Sequence, residues 1–356
     1  MTKIALITDT HWGVRNDNAA FLDNSKKFLD EVFFPHIDQN DIHTVIHLGD
    51  LVDRRKYINI NTARRLRVDF LDKLKERNLD VHLIAGNHDT YFKNTNEVNA
   101  IKELVENAYP SFKTYTKYAE SVSFDGVPIL FIPWICDDNR EQTLNAIQTT
   151  PAQIAMGHLE IQGFEMYRGS LVSHGSDRGL FDRFDIVMSG HYHHRSTDGH
   201  IYYLGSHGEF TWSDFDDPRG FHIFDTATRE LTFIENPYKM FKKVWYNDVD
   251  NAFEQLEVDF KQFKGSLVKV IVTNKTNHYW FEKFIENLES ENPIDIQVVE
   301  DHLNLNLEED QEIVNEAEST LDIFKKYIDA YEVKNVDKNK LSSKITELYN
   351  EALSIG

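Results

Sequence analysis

Five apolar runs in this chain end on polar clusters, and that pattern limits its fold more than any other feature. The clusters are Asp9-Thr10-His11, Gly49-Asp50-Leu51-Val52-Asp53, Gly86-Asn87-His88-Asp89, Gly157-His158 and Gly190-His191-Tyr192-His193. In an open α/β sheet, the residues at the carboxyl ends of the strands converge on one crevice. A buried strand end is a costly place for Asp, Asn or His unless the group is paired or coordinated. The spacing predicts that Asp9 and His11 alternate in an extended segment and share one face, with His191 and His193 doing the same. Four glycines, Gly49, Gly86, Gly157 and Gly190, precede the polar residues, where a missing Cβ permits a tight turn and close backbone approach.

The runs between the clusters set the architecture. KIALITD, TVIHLGD and VHLIAGNHD read as strands, separated by helical spacing over 20–34 and 61–77. Strand alternating with helix implies βαβ units and a largely parallel sheet. Beyond residue 119 the texture becomes β-rich. SVSFDGVPILFIPW reads as a hairpin, IAMGHLE and DIVMSGHYH as strands, and IYYLGS and GFHIFDT as further strands. The expectation is an α/β fold, an α+β sandwich of two packed sheets flanked by helices, over residues 1–237. A smaller α+β unit would follow over 238–303, then a helical tail over 304–356, with amphipathic spacing in 309–331 and 338–353. That tail reads equally as a helix pair packed on the rest of the chain or as a docking element for a partner helix.

Composition narrows the function classes. No run of 18 apolar residues occurs, which argues against a membrane-spanning helix, and the start runs straight into a strand, which argues against a secretory signal. Cys136 is the only cysteine, so neither an intrachain disulfide nor a cysteine-rich zinc site can form. A cytoplasmic protein is expected. The net charge of −21 argues against a surface that binds nucleic acid unaided. Bound divalent cations, or a partner's basic surface, would have to offset it.

Asp9, His11, Asp50, Asn87, His158, His191 and His193 supply carboxylate, amide and imidazole donors without thiolate, a set suited to Mn²⁺, Fe²⁺ or Zn²⁺. Seven ligands fit two metals if Asp50 bridges them. Two ions about 3.5–4 Å apart clamp the attacking and leaving oxygens of a displacement at phosphorus. The basic run Arg54-Arg55-Lys56 follows directly and is a candidate for phosphate contact. His47 reads as a hydrogen-bonded filler, and His36, His43, His82 and His194 as having no part in the site. His174 and His207 read more readily as plain loop histidines than as cleft residues. Phe241, Trp245, Tyr246, Tyr279, Trp280 and Phe281 read as core of the second unit rather than as platforms for unpaired bases.

In this order the clusters resemble the calcineurin-like metallophosphoesterase superfamily, whose pattern is D-x-H, G-D-x-x-D, G-N-H-[DE], G-H and G-H-x-H. THWGV, GNHDTYFKN, FIPW and DPRGF, with the smaller α+β unit and helical tail, resemble the SbcD-type double-strand-break repair nucleases, in the style of bacteriophage recombination endonuclease subunits. The resemblance implies one metal on Asp9, His11, Asp50 and His193, and another on Asp50, Asn87, His158 and His191. It implies Mn²⁺ first, with Mg²⁺, Fe²⁺ or Zn²⁺ as alternatives, and His88 as the catalytic histidine. Asp89 would orient His88, and Asp53 would hold a ligand histidine in one tautomer. It further implies a DNA exonuclease and endonuclease acting on double-stranded ends and single strands, an SbcC-type coiled-coil ATPase partner, and a homodimer packed through helices at 61–77 and 96–107. If the chain is viral, the compartment would be the host cytoplasm. Asp53-Arg54-Arg55 in place of Asp-Arg-Gly, and Asp89 in place of Glu, lower the protein-phosphatase reading. A small-molecule phosphodiesterase on the same fold, and a scaffold that has lost its metals, are the competing readings.

Overall fold

In this computed structural model the described residues are 2–249 and 257–300, with Lys338 and Lys344 beyond them. They fall into two compact units, Met1–Phe210 with Asp216–Met240, and Thr211–Phe215 with Phe241–Gly356. The division falls after Met240, and the short segment Thr211–Phe215 groups with the second unit. The expected tail over 304–356 lies outside the described residues.

The first unit holds two six-stranded mixed sheets. One runs in the order Leu231–Glu235, Gly220–Asp225, Lys3–Ile7, Thr44–His47, Asp80–Ile84, Lys113–Tyr115. Its last four strands are mutually parallel, as βαβ connections require, while Gly220–Asp225 pairs antiparallel with Lys3–Ile7. The other sheet runs in the order Ser196–Thr197, Ile201–Tyr203, Ile186–Gly190, Ile154–His158, Val127–Ile132, Glu120–Phe124. Glu120–Phe124 and Val127–Ile132 form the expected hairpin, and the two residues of its turn, Asp125 and Gly126, both take positive φ (49° and 84°). That turn matches the twist of the flanking strands.

Side-chain alternation explains the layering. Ile4, Leu6, Ile46 and Ile84 meet Ile129, Phe131, Met156 and Met188 in one core, which lies between the sheets. The alternate residues, Ala5, Ile7, Val45, Val81 and Leu83, pack under Phe28, Phe33, Phe34 and Phe70 of the helices. On the second sheet, Ala155 and Val187 share a core with Ile147 of the helix Arg140–Thr149. Strands covered on both faces read as continuous apolar runs, and this accounts for the texture of KIALI and TVI. Each fully buried Phe or Leu in these layers contributes about 1.5–3 kcal/mol.

The first helix runs longer than the expected 20–34, while the second matches the expected 61–77 closely. Ala19–Phe28 continues through a π-helical turn at Leu29–Phe33 into Phe34–Gln39, and Ile60–Arg65 passes through Leu66–Leu71 into Asp72–Glu76 in the same way. The helix expected over 96–107 begins only near residue 100, because Thr90 bridges Asn99 and the Tyr91 N–H donates to the Val98 carbonyl.

The second unit has a parallel three-stranded sheet, Phe241–Asn247, Leu267–Asn274 and Asp295–Glu300, with the helix His278–Ser290. Phe241, Tyr246 and Phe281 are buried as expected, but Trp245 and Tyr279 are 41% and 58% exposed and do not belong to its core.

Candidate metal centre

All five polar clusters meet in the first unit. Asp9, His11, Asp50 and His158 are buried, and Asn87, His191 and His193 are half-buried. The His11 Nε2 and His193 Nε2 atoms face each other at 3.0 Å, with Asp9 Oδ1 3.9 and 4.0 Å from them. Beside them, Asn87 Oδ1 lies 3.0 Å from His158 Nε2 and 2.9 Å from His191 Nδ1. One oxygen stands between the groups: Asp50 Oδ2 is 3.6 Å from His11 Nε2 and 3.3 Å from His158 Nε2.

The donor set fits a pair of divalent cations. Asp9–His11–His193 and Asp50–His158–His191 each gather three ligand atoms closely enough to hold an ion. A third grouping, His11–Asp53–His88, shares His11 with the first. Burial raises the Asp9 pKa, and the neighbouring Asp50 raises it further. Burial alone would lower the His158 pKa, but Asp50 and Asp9 raise it to about 9. Two buried carboxylates ringed by imidazoles are an arrangement that positive charge stabilises. A cation entering here would compete with protons on the same imidazoles.

The supports fix tautomers. Leu48 O accepts from His158 Nδ1 at 2.8 Å, which leaves Nε2 as the ligand atom. Asp53 Oδ1 lies 3.5 Å from His11 Nδ1, where the sequence places a supporting carboxylate. His88 Nδ1 donates to the Asp53 carbonyl at 2.5 Å, so its Nε2 is the free nitrogen of the ring. Burial lowers the His88 pKa.

The backbone departs from the expected extended segments. Asp9, His11, Asp50 and His191 have positive φ (50°, 43°, 55° and 90°), so turns rather than strand alternation aim these side chains. Non-glycine residues held in this region store strain that the surroundings must offset, commonly at functional sites. The glycines supply the room. A Cβ on Gly86 would sit 2.2 Å from Asp50 Oδ1, and one on Gly190 would sit 2.1 Å from Thr8 Oγ1 and 2.9 Å from Asp9 Oδ2.

Asp89 has a different task from the one expected. Its oxygens accept from the backbone N–H groups of Gly86, Asp50, Leu51 and Val52 at 2.8–3.2 Å, and none of its hydrogen bonds goes to His88. It clamps the Gly86 turn to the Asp50 turn, so it positions Asp50 instead of orienting His88. Burial, then Asp50, pushes its pKa up to about 7 against those four donors. Asp89→Asn leaves one acceptor oxygen for four N–H groups and points an amide donor at them. Each buried donor left unpaired costs roughly 1–3 kcal/mol. Thermal unfolding should show a loss of several kcal/mol, and a shift under about 1 kcal/mol would contradict the clamp.

Arg54 donates to Asp17 Oδ2 and Asn16 Oδ1, both at 2.9 Å, so its guanidinium is committed within the protein and is not a free phosphate contact. Arg55 Nη1 is buried without a hydrogen-bond partner, and Lys56 is exposed. His47 is the filler it reads as: it contacts Thr10 Oγ1 at 2.9 Å, accepts from the Gly49 N–H, and burial holds its pKa near 3. His207 is buried against Ser25 Oγ, and His174 is an exposed side chain 3.3 Å from Glu160 Oε1. Sequence reasoning missed Glu160 and used Trp134 only as part of FIPW. The Trp134 ring lies 5.1 Å from that of His191 and 6.2 Å from that of His158, walling one side of their cluster.

Strand-end carboxylates and imidazoles grouped in this way could hold metal ions, as in the dimetal phosphoesterases. The chain belongs to the calcineurin-like phosphoesterases, whose family model matches residues 2–195. It is 32% identical to exonuclease subunit 1 of Enterobacteria phage T4, across 98% of this chain and 99% of the phage protein. It is 26% identical to the SbcD subunit of the SbcCD nuclease of Staphylococcus saprophyticus, over 73% of this chain and 76% of that one. It is 30% identical to the DNA double-strand break repair protein Mre11 of Sulfolobus acidocaldarius, over 54% of this chain and 50% of that one.

Proposed function

We propose that this protein is the nuclease subunit of a DNA repair or recombination complex, hydrolysing phosphodiester bonds with two Mn²⁺ ions. The observation that carries the reading is Asp50 Oδ2 between two imidazole clusters. Likeness to an exonuclease subunit along nearly the whole chain supplies the substrate class. Asp9, His11, Asp50 and His193 would hold one ion, and Asp50, Asn87, His158 and His191 the other. Bound, such a pair supplies Lewis acidity at the phosphorus and an activated nucleophile.

The chain's own residues do the rest. Asp89 and the glycine turns hold the ligands in place. The Asp53 carbonyl accepts from His88 Nδ1 and fixes the ring, which in its protonated form donates from Nε2 to the leaving oxygen. Arg55 and Lys56 contact substrate phosphates, which fixes register without reading sequence. The remaining negative charge is offset locally by the ions and by the basic surface of an SbcC-type ATPase, docked through residues 304–356. A homodimer forms around Tyr57 and Ile60, which are 63% and 89% exposed at the start of the helix Ile60–Arg65, and Val98. The complex works in the cytoplasm, that of the host if the chain is viral.

The test compares Mn²⁺-dependent degradation of linear double-stranded DNA with turnover of an aryl phosphodiester, with and without a co-purifying ATPase. DNA degradation enhanced by the ATPase supports the proposal. Partner-independent turnover of the small ester with little DNA cleavage would move the protein to the small-molecule phosphodiesterases.

A further inference from the structure

His191 is the one ligand of the second cluster whose outward nitrogen is unsatisfied. Its Nδ1 faces Asn87 Oδ1, while Nε2 is buried and has no hydrogen-bond partner. The group that stands opposite Nε2 is Glu160, with Oε1 at 3.7 Å. His158 has a backbone carbonyl to fix its tautomer. At His11 and His191 the outward nitrogen faces a carboxylate instead, Asp53 Oδ1 at 3.5 Å and Glu160 Oε1 at 3.7 Å, and no strand-end motif includes Glu160.

Glu160 is itself held. The Ser176 N–H donates to the Glu160 carbonyl at 2.7 Å, the Gln162 N–H donates to the Ser176 carbonyl at 3.2 Å, and Ile161 bridges Ser176. Gly175, at φ +102°, passes so close that a Cβ there would lie 2.6 Å from Glu160 O and 3.0 Å from its Cγ. His174 approaches the same carboxylate oxygen that faces His191, with Nε2 3.3 Å from Oε1. The SHGS stretch at 173–176 is thus a strap laid across Glu160. It absorbs a sequence feature that the metal ligands leave unexplained.

We infer that Glu160 is a positioning residue for the second metal: its carboxylate faces the His191 Nε2–H, favours the Nδ1-ligating tautomer, and is held in place by the 173–176 strap. The inference rests on the two-metal reading above. A ligand histidine whose other nitrogen loses its carboxylate typically binds metal roughly 10–100-fold more weakly. The effect should fall on one ion of the two, since the histidines facing the Glu160 carboxylate are His191 and His174, not His11 or His193.

The experiment is a Mn²⁺ titration of the full chain, with free ion read by electron paramagnetic resonance and the spin-coupled pair read from its own signal. Wild type should take up two ions; fewer would remove the two-metal reading, and this inference with it. Glu160→Ala should weaken one ion by roughly 10–100-fold, leave the other unchanged, and lose the coupled signal at intermediate Mn²⁺. Glu160→Gln should retain most of the affinity, because its amide oxygen can still face the Nε2–H. Gly175→Ala should reproduce the alanine effect by displacing the carboxylate, and His174→Ala should not. A Glu160→Ala isotherm superimposing on wild type, an equal loss at both ions, or a Glu160→Gln variant as weak as the alanine would each overturn the assignment. Glu160 is 31% exposed, so these variants should keep the fold, checked by thermal unfolding.

Discussion

Asp50→Asn is expected to abolish binding of both metal ions and to reduce phosphodiesterase activity to background. Asp50 Oδ1 accepts the His88 N–H at 2.8 Å, and an asparagine can keep that bond. The other oxygen cannot be replaced: an amide N–H₂ would stand where the His11 and His158 Nε2 atoms now face a carboxylate. The substitution removes the negative charge shared by both clusters while disturbing the backbone least. The loss should exceed the roughly 10–100-fold seen when only a supporting residue is removed. Metal content measured on the folded, desalted variant checks it. Retention of two tightly held ions would show that Asp50 is not the bridge.

His88→Ala should separate metal binding from turnover. The His88 ring is joined to the protein through the Asp53 carbonyl, and it packs edge-on to His11 at 4.8 Å without entering either ligand cluster. Removing it should leave Mn²⁺ stoichiometry and affinity intact. DNA hydrolysis should fall by roughly 10²–10⁴-fold, the usual contribution of a positioned proton donor. A substrate with a leaving group that needs no proton, such as an activated aryl phosphodiester, should lose much less. Full DNA cleavage by the alanine variant would remove the proposed mechanism.

The strand ends were legible in the sequence because a polar residue after an apolar run is costly wherever it lands, and packing alone does not put five of them in one chain. The helices and hairpin were legible too, through periodicity and the Asp125-Gly126 turn. What escaped was everything set by non-local backbone contacts. Left-handed backbone at Asp9, His11 and Asp50 carries no residue signature, since Asp and His are ordinary in turns. Asp89 sits next to His88 in the chain, but its side chain turns to four N–H groups, three of them nearly forty residues away in sequence. Arg54 looked like part of a basic patch until Asp17 and Asn16 folded back onto it. Glu160 lies two residues beyond a ligand, and its partner His191 is thirty-one positions on, a pairing that register between neighbouring strands creates.

The central claim is that one carboxylate joins two metal ions, and anomalous diffraction from a Mn²⁺-soaked crystal tests it most directly. Data collected on either side of the manganese edge should show two peaks about 3.5–4 Å apart, flanking Asp50 Oδ2, one beside His11 and His193 and the other beside His158 and His191. A single peak, or two peaks that do not share Asp50, would contradict the account.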